Sequence, residues 1–152
     1  MVLPWLRTQL CAVFAVLLAG GLGAELGAVT EAPPATKATV VFLGDSLSAG
    51  YGVDPSEAFP AIVEQKIGEA KLPYTVVNAG VSGDTTAGGL RRIDWVLRRP
   101  VDVLVLELGA NDGLRGITPE ATRTNLQTII DKARQKNPVM RIVIAGMQMP
   151  PN

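Results

Sequence analysis

The chain alternates two kinds of segment, and this alternation limits its fold more than any other feature. Four short apolar runs rich in β-branched residues stand at 38–44 (ATVVFLG), 74–78 (YTVVN), 101–108 (VDVLVLEL) and 140–147 (MRIVIAGM). The first is apolar without alternation, which predicts a strand buried on both faces. Between the runs lie three stretches with helical spacing. Phe59, Ile62, Val63, Ile67 and Ala70 share one side of a helix over 59–70, with Pro60 suited to its first turn. Leu90, Ile93 and Leu97 recur at helical spacing over 85–99, with arginines on the other side. Arg91, Arg92, Arg98 and Arg99 therefore read as a solvated helix face. Leu126, Ile129, Ile130 and Ala133 mark a helix over 120–135, with Thr118 as N-cap and Pro119 as first residue. The order β-α-β-α-β-α-β predicts an α/β fold, a parallel sheet covered by helices on both faces. In such a sheet, ligands bind beyond the carboxyl ends of the strands.

The folded part is expected to be one domain over 38–152, preceded by different material. Residues 10–24 (LCAVFAVLLAGGLGA) carry no charge. A spanning helix needs roughly 20 apolar residues, and this run is shorter. With Arg7 before it and small residues at its end, it reads as a secretory signal peptide over 1–24. The other reading is an uncleaved N-terminal anchor. Residues 25–37 (ELGAVTEAPPATK) read as a linker. The expected location is therefore outside the inner membrane, periplasmic or secreted, with no stable membrane span in the mature form. The sole cysteine, Cys11, falls inside the apolar run, so the mature chain has neither a disulfide nor thiol chemistry. Lys and Arg balance Asp and Glu at 14 each, which gives no reason to expect nucleic acid as a partner. With no histidine in the chain, a zinc site is not expected, and no G-x-G-x-x-G or Walker pattern follows the first strand. No cofactor is predicted.

The strand ends carry the chemistry. They read GDSLS, NAGVSGD, GANDG and MQMPPN. Ser46 opens a turn directly after the first strand. Gly80 has no side chain, so its N–H can approach a ligand closely. Asn111 follows the third strand and brings an amide donor. A hydroxyl with convergent neutral donors suits acyl transfer through a tetrahedral oxyanion. Each loop alone also has a plainer reading: a strand-to-helix turn at GDS, a glycine-rich loop at NAGVSGD, and an Asn-Asp turn at GAND. Asp84 and Asp112 then serve as helix or turn caps.

Taken together, FLGDSLSAGYG, VVNAGVSGDTTAGGLRR and LVLELGANDGLRG, in this order on these strand ends, resemble the GDSL or SGNH hydrolases. The likeness is strongest to bacterial periplasmic esterases of the arylesterase, acyl-thioesterase and lysophospholipase type. It covers about residues 38–152. The resemblance implies a three-layer, flavodoxin-like α/β/α fold and no cofactor. It implies Ser46 as nucleophile, with the N–H groups of Ser46 and Gly80 and the side chain of Asn111 as the oxyanion hole. Asp45 would shape the serine turn rather than act as a base. Small esters, aryl esters, thioesters or lysophospholipids are the implied substrates. Other readings are a non-catalytic module that holds an acyl or carbohydrate ligand, and a carbohydrate O-acetyl esterase. The family pattern has one more block, D-x-x-H-P, which supplies the base and its orienting aspartate, and it has no counterpart here. The expectation is a fold incomplete at its C-terminal edge: a record cut short of that block, or a short product completed by another polypeptide. As it stands, the chain would be an inactive fragment. Its fourth strand would present an open apolar edge prone to non-specific self-association.

Overall fold

The structure is a computed structural model, and it describes residues 36–146. The signal-peptide reading, all but the last two residues of the linker, and the MQMPPN end lie outside the described residues. Four parallel strands form the sheet: β1 (Ala38–Gly44), β2 (Tyr74–Asn78), β3 (Val103–Glu107) and β4 (Arg141–Ile144). Their order across the sheet is β2-β1-β3-β4. The chain steps from β1 to β2 in one direction, then crosses back to β3 on the other side of β1. Right-handed crossovers put the two connections on opposite faces. Helix α2 (Phe59–Glu69) lies on one face, and α3 (Thr86–Val96) and α5 (Pro119–Lys136) pack together on the other. Two short helices, α1 (Ser46–Ala49) and α4 (Ala110–Leu114), sit directly after β1 and β3. The α/β/α layering expected from the segment order is therefore present.

The core follows the alternation of the strands. Val41, Leu43, Leu104 and Leu106 point to the α3/α5 face and pack with Ile93, Val96, Ile129 and Ala133, all essentially inaccessible to solvent. Phe42 points to the other face and meets Phe59 of α2 edge to face, with ring centroids 5.3 Å apart. Thr118 caps α5 by accepting the Ala121 N–H at 3.3 Å, with Pro119 as first residue, as its sequence predicts. Among the described residues β4 pairs on one side only, and Val143 and Ile144 are exposed.

Several boundaries and faces differ from expectation. Helix α3 ends at Val96 rather than running to residue 99; Pro100 disfavours helical backbone at the residue before it. Strand β3 starts at Val103; just before it, Asp102 accepts the Thr39 N–H on its carboxylate at 2.7 Å. Ile62 and Ala70, placed by spacing on the inner face of α2, are exposed. Arg92 is not part of a solvated face. Its guanidinium is folded back over the strand ends, as described below.

The buried position Leu104 on a central strand gives a direct check on this core. Leu104→Ala is expected to destabilise the protein by about 2–5 kcal/mol. Urea unfolding with an unchanged m-value would measure it.

Candidate active site

The carboxyl ends of β1 and β3 flank the point where strand order reverses, the usual ligand crevice of such sheets. Three loops meet there. After Gly44, Asp45 leaves the strand and caps α1: its Oδ1 accepts the Leu47 N–H at 3.0 Å. Ser46 is thus the first residue of a single helical turn and is half-buried. The turn stops at Gly50, whose φ of +77° is left-handed, and the Tyr51 N–H closes onto the Ser46 carbonyl at 2.9 Å. Ser46 opens onto a cavity of about 420 Å³ whose walls include Leu47, Val53, Ala58 and Phe59.

The second loop is held against the first by backbone. Asn78 ends β2; its Nδ2 donates to the Ser48 carbonyl at 2.6 Å, and its Oδ1 accepts the Gly80 N–H at 2.9 Å. The Val81 N–H donates to the Gly44 carbonyl at 3.0 Å. A Cβ on Gly80 would stand 2.7 Å from the Ser48 carbonyl carbon and collide with the Ala49 nitrogen. Only glycine lets the two loops approach this closely.

Asn111, in α4, completes the group. Its Nδ2 donates to the Asp84 carbonyl at 2.9 Å and to Asp45 Oδ2 at 3.2 Å. Asp45 therefore binds the serine turn with one oxygen and the third loop with the other. The next residue, Asp112, is fully buried and accepts from the Thr86 N–H at 2.8 Å, from the Thr86 hydroxyl, and from the Thr122 hydroxyl at 3.2 Å. It caps α3 from across the fold, a cap as sequence suggests, but of a helix well before it in the chain. Asp84 accepts the Thr85 N–H at 3.1 Å and pairs with Arg92 at 2.7 Å. Arg92 also donates to the Ala79 carbonyl at 2.6 Å and the Gly44 carbonyl at 3.0 Å. The helix-face reading missed this role because spacing gives only the angle at which a side chain leaves the helix. A long arginine reaches back past its own turn.

Ser46, Gly80 and Asn111 are thus brought to one crevice, with Gly80 against the α1 backbone and Asn111 on the carboxyl that precedes Ser46. The donors of Gly80 and Asn111 are already engaged by protein acceptors. Among the described residues, no three His, Cys, Asp or Glu side chains gather as a metal site. One acidic side chain of the crevice escaped the sequence reading. Glu107, the last residue of β3, is 4% exposed and shares the cavity wall with Ser46. Its Oε2 accepts the Ser48 hydroxyl at 2.7 Å, and its Oε1 is buried with no hydrogen-bond partner. Burial, and then the Asp45 carboxylate, push its carboxyl above the ordinary value, although the Ser48 hydroxyl pulls the other way. The signal was an acidic residue at the far end of the apolar run VDVLVLEL, after the stretch Val103–Leu106 that carries no charge.

Two checks follow from this site. Asp112→Ala strands the buried Thr86 N–H and is expected to lower stability by about 1–3 kcal/mol, read by denaturant unfolding. The raised Glu107 group binds its proton more tightly in the folded than in the unfolded chain. Stability from this group is therefore full below its ordinary value of 4.5 and declines as pH climbs through the higher folded value. Glu107→Gln removes that dependence. The melting temperature of the variant relative to wild type is expected to improve as pH rises above about 4.5.

The chain is similar to known proteins. A family model described as "GDSL-like Lipase/Acylhydrolase family" matches residues 42–152. The chain is 40% identical over 139 residues to "Esterase TesA" of Pseudomonas aeruginosa, covering 91% of this chain and 66% of that protein. It is 45% identical over 101 residues to "Thioesterase 1/protease 1/lysophospholipase L1" of Escherichia coli K12, covering 65% of this chain and 47% of that one. In three dimensions it superimposes on the crystal structure of AlinE4, an SGNH-hydrolase family esterase, with a TM-score of 0.70 at 40% identity. That match covers 76% of this chain and 61% of AlinE4. The chain spans about half to two thirds of the length of the relatives it matches. With the model spanning most of the chain and the fold agreeing, the chain belongs to the GDSL-like lipase/acylhydrolase family, the SGNH hydrolases.

Proposed function

We propose that the protein carrying this chain hydrolyses carboxylic esters or thioesters, with Ser46 as the nucleophile. One observation carries the reading most. The two oxygens of Asp45 bind the Ser46 turn and the Asn111 amide, so one carboxyl joins the serine turn, which lines a largely apolar cavity, to a neutral donor. In the proposed reaction Ser46 Oγ attacks the acyl carbon while a general base takes its proton. The carbonyl π electrons move to oxygen, and that oxyanion lies among the N–H groups of Ser46 and Gly80 and the Asn111 Nδ2. Collapse expels an alcohol, phenol or thiol that receives the proton. Water then releases the acid from the acyl-enzyme by the same route. These 152 residues hold no histidine, so the proposal assigns the base to chain or partner outside them.

The cavity wall of Leu47, Val53, Ala58 and Phe59 supports an acyl group as its occupant over a sugar. Aryl esters, acyl thioesters and lysophospholipids are all within this class. Export to the periplasm or medium belongs to the same reading and rests on the uncharged run at 10–24.

The second reading, a non-catalytic acyl-binding module, has an observation in its favour. The Gly80 N–H and both Asn111 amide hydrogens are already taken by Asn78, Asp84 and Asp45. Sharing one N–H between two acceptors is common enough that this does not bar an oxyanion. A fluorophosphonate probe separates the two readings in the full-length protein. A catalytic serine is phosphonylated at Ser46 and the Ser46→Ala variant is not; a binding serine is left unlabelled. Asn111→Ala is then expected to lower kcat by about 10²–10³ with little change in KM.

A further inference from the structure

Glu107 is the one buried titratable group of the crevice that the proposed reaction leaves without a task. Its surroundings are specific. Gly44 and Glu107 are register partners on the two central strands. A Cβ on Gly44 would stand 2.6 Å from Glu107 Oε2 and collide with the Ser48 hydroxyl. The glycine at the end of β1 therefore leaves room for a carboxyl from β3 to reach under the serine turn. Oε2 takes the Ser48 hydroxyl at 2.7 Å and faces the Asp45 N–H at 3.4 Å, a long contact. Ser48 itself is fully buried in α1. These bonds reach the residues on either side of Ser46 in the chain, Asp45 directly before it and Ser48 two after it.

We propose that Glu107 is a positioning residue for the nucleophile: its carboxyl anchors α1 to β3 through Ser48 and Asp45 and so fixes where Ser46 Oγ stands relative to Gly80 and Asn111. The inference rests on the reading of Ser46 as nucleophile. Asp45 cannot do this alone. Its side chain ties α1 sideways, to its own Leu47 N–H and to Asn111, whereas Glu107 ties the turn downward to the sheet. Three connections thus converge on four residues: Asp45 to Asn111, Asn78 to the Ser48 carbonyl, and Glu107 to the Ser48 hydroxyl. Catalytic geometry is sensitive at this scale, since a misplacement of about 1 Å costs on the order of 10²-fold in rate. The task needs an oxygen acceptor at Oε2 and no net charge. Burial holds this carboxyl above its ordinary value, and Oε1 has no hydrogen-bond partner, so Oε2 alone makes the link. A glutamine then supplies the same acceptor, and a leucine of similar bulk supplies none.

The test uses the full-length protein with substitutions Glu107→Leu, Glu107→Gln, Ser48→Ala and the Glu107→Leu/Ser48→Ala pair. Two quantities are read: the rate constant for fluorophosphonate labelling at Ser46, and amide hydrogen exchange over residues 45–49. Loss of folded protein lowers the labelled amplitude, whereas misplacement lowers the rate constant. Glu107→Leu and Ser48→Ala are each expected to slow labelling by about 10- to 100-fold. The pair should be no slower than the worse single variant, because both break one link. Glu107→Gln should restore most of the rate lost in Glu107→Leu. Wild-type labelling rates in Glu107→Leu, or losses that multiply in the pair, would overturn the proposal. Should Glu107→Leu fail to fold, Ser48→Ala decides alone: a rate loss upholds the link and a wild-type rate overturns it. A wild-type protein that does not label at all defeats the nucleophile reading instead. In that case exchange over 45–49 still decides the anchor: faster exchange in Ser48→Ala upholds it, and unchanged exchange overturns it.

Discussion

A carboxyl buried between two loops organises the upper edge of the sheet. Asp45 is 1% exposed. Placing such a group away from water is unfavourable unless its oxygens find donors. Here one oxygen takes the Leu47 N–H, an orphan donor at the start of α1, and the other takes the Asn111 amide. Both the shape of the serine turn and the position of the third loop follow from that single requirement. Without it, α1 is one turn of helix too short to persist on its own. The turn exists because the cap holds the Leu47 N–H and Gly50 closes its end.

The second loop is fixed by a different means, a cation satisfied largely by backbone. Arg92 reaches from α3 to the carbonyls of Gly44 and Ala79 and to the Asp84 carboxylate. Those partners belong to the end of β1, the start of the glycine loop and the start of α3. One planar guanidinium thus ties three segments together, a geometry that lysine cannot reproduce. Asp112 does the matching work on the far side, joining the third loop to the first residue of α3. The loops are therefore braced on both flanks by the Arg92 and Asp112 side chains.

The strands, the three long helices and the layer order were legible because they depend on local pattern. β-branched runs and the 3.6-residue spacing of Leu126, Ile129 and Ala133 survive in any tertiary context. Ser46, Gly80 and Asn111 were legible as strand-end residues and through the combined loop motifs. Arg92, Glu107, Asn78 and Ser48 were not. Their roles are long-range pairings, such as Ser48 with Glu107 at 59 residues' separation, and a residue's own segment does not name its partner; Glu107 stood out only as an acid ending an apolar strand run. Ile62 failed for a related reason. Helical spacing names a face but not the width of what covers it, and the sheet beneath α2 does not reach that far round the helix.

The glycines of the motifs have one explanation each, and it is steric rather than conformational for two of them. Gly44 leaves room for Glu107 and Ser48, and Gly80 leaves room for the α1 backbone. Neither has a left-handed φ. Near Ser46, the Gly80 N–H and the Asn111 amide are each engaged by an internal acceptor. In the proposed reaction, an oxyanion would compete with the Asn78 side-chain oxygen for the Gly80 N–H, and with the Asp84 carbonyl and the Asp45 carboxyl for the Asn111 amide. Such acceptors hold the donors in position before the charge develops, which is what preorganisation requires. They also favour a ligand that carries a full negative charge on oxygen over a neutral carbonyl, because only the stronger acceptor draws the shared hydrogens toward itself. On that proposal, the same resting bonds would discriminate between a bound ester and the tetrahedral state that follows it.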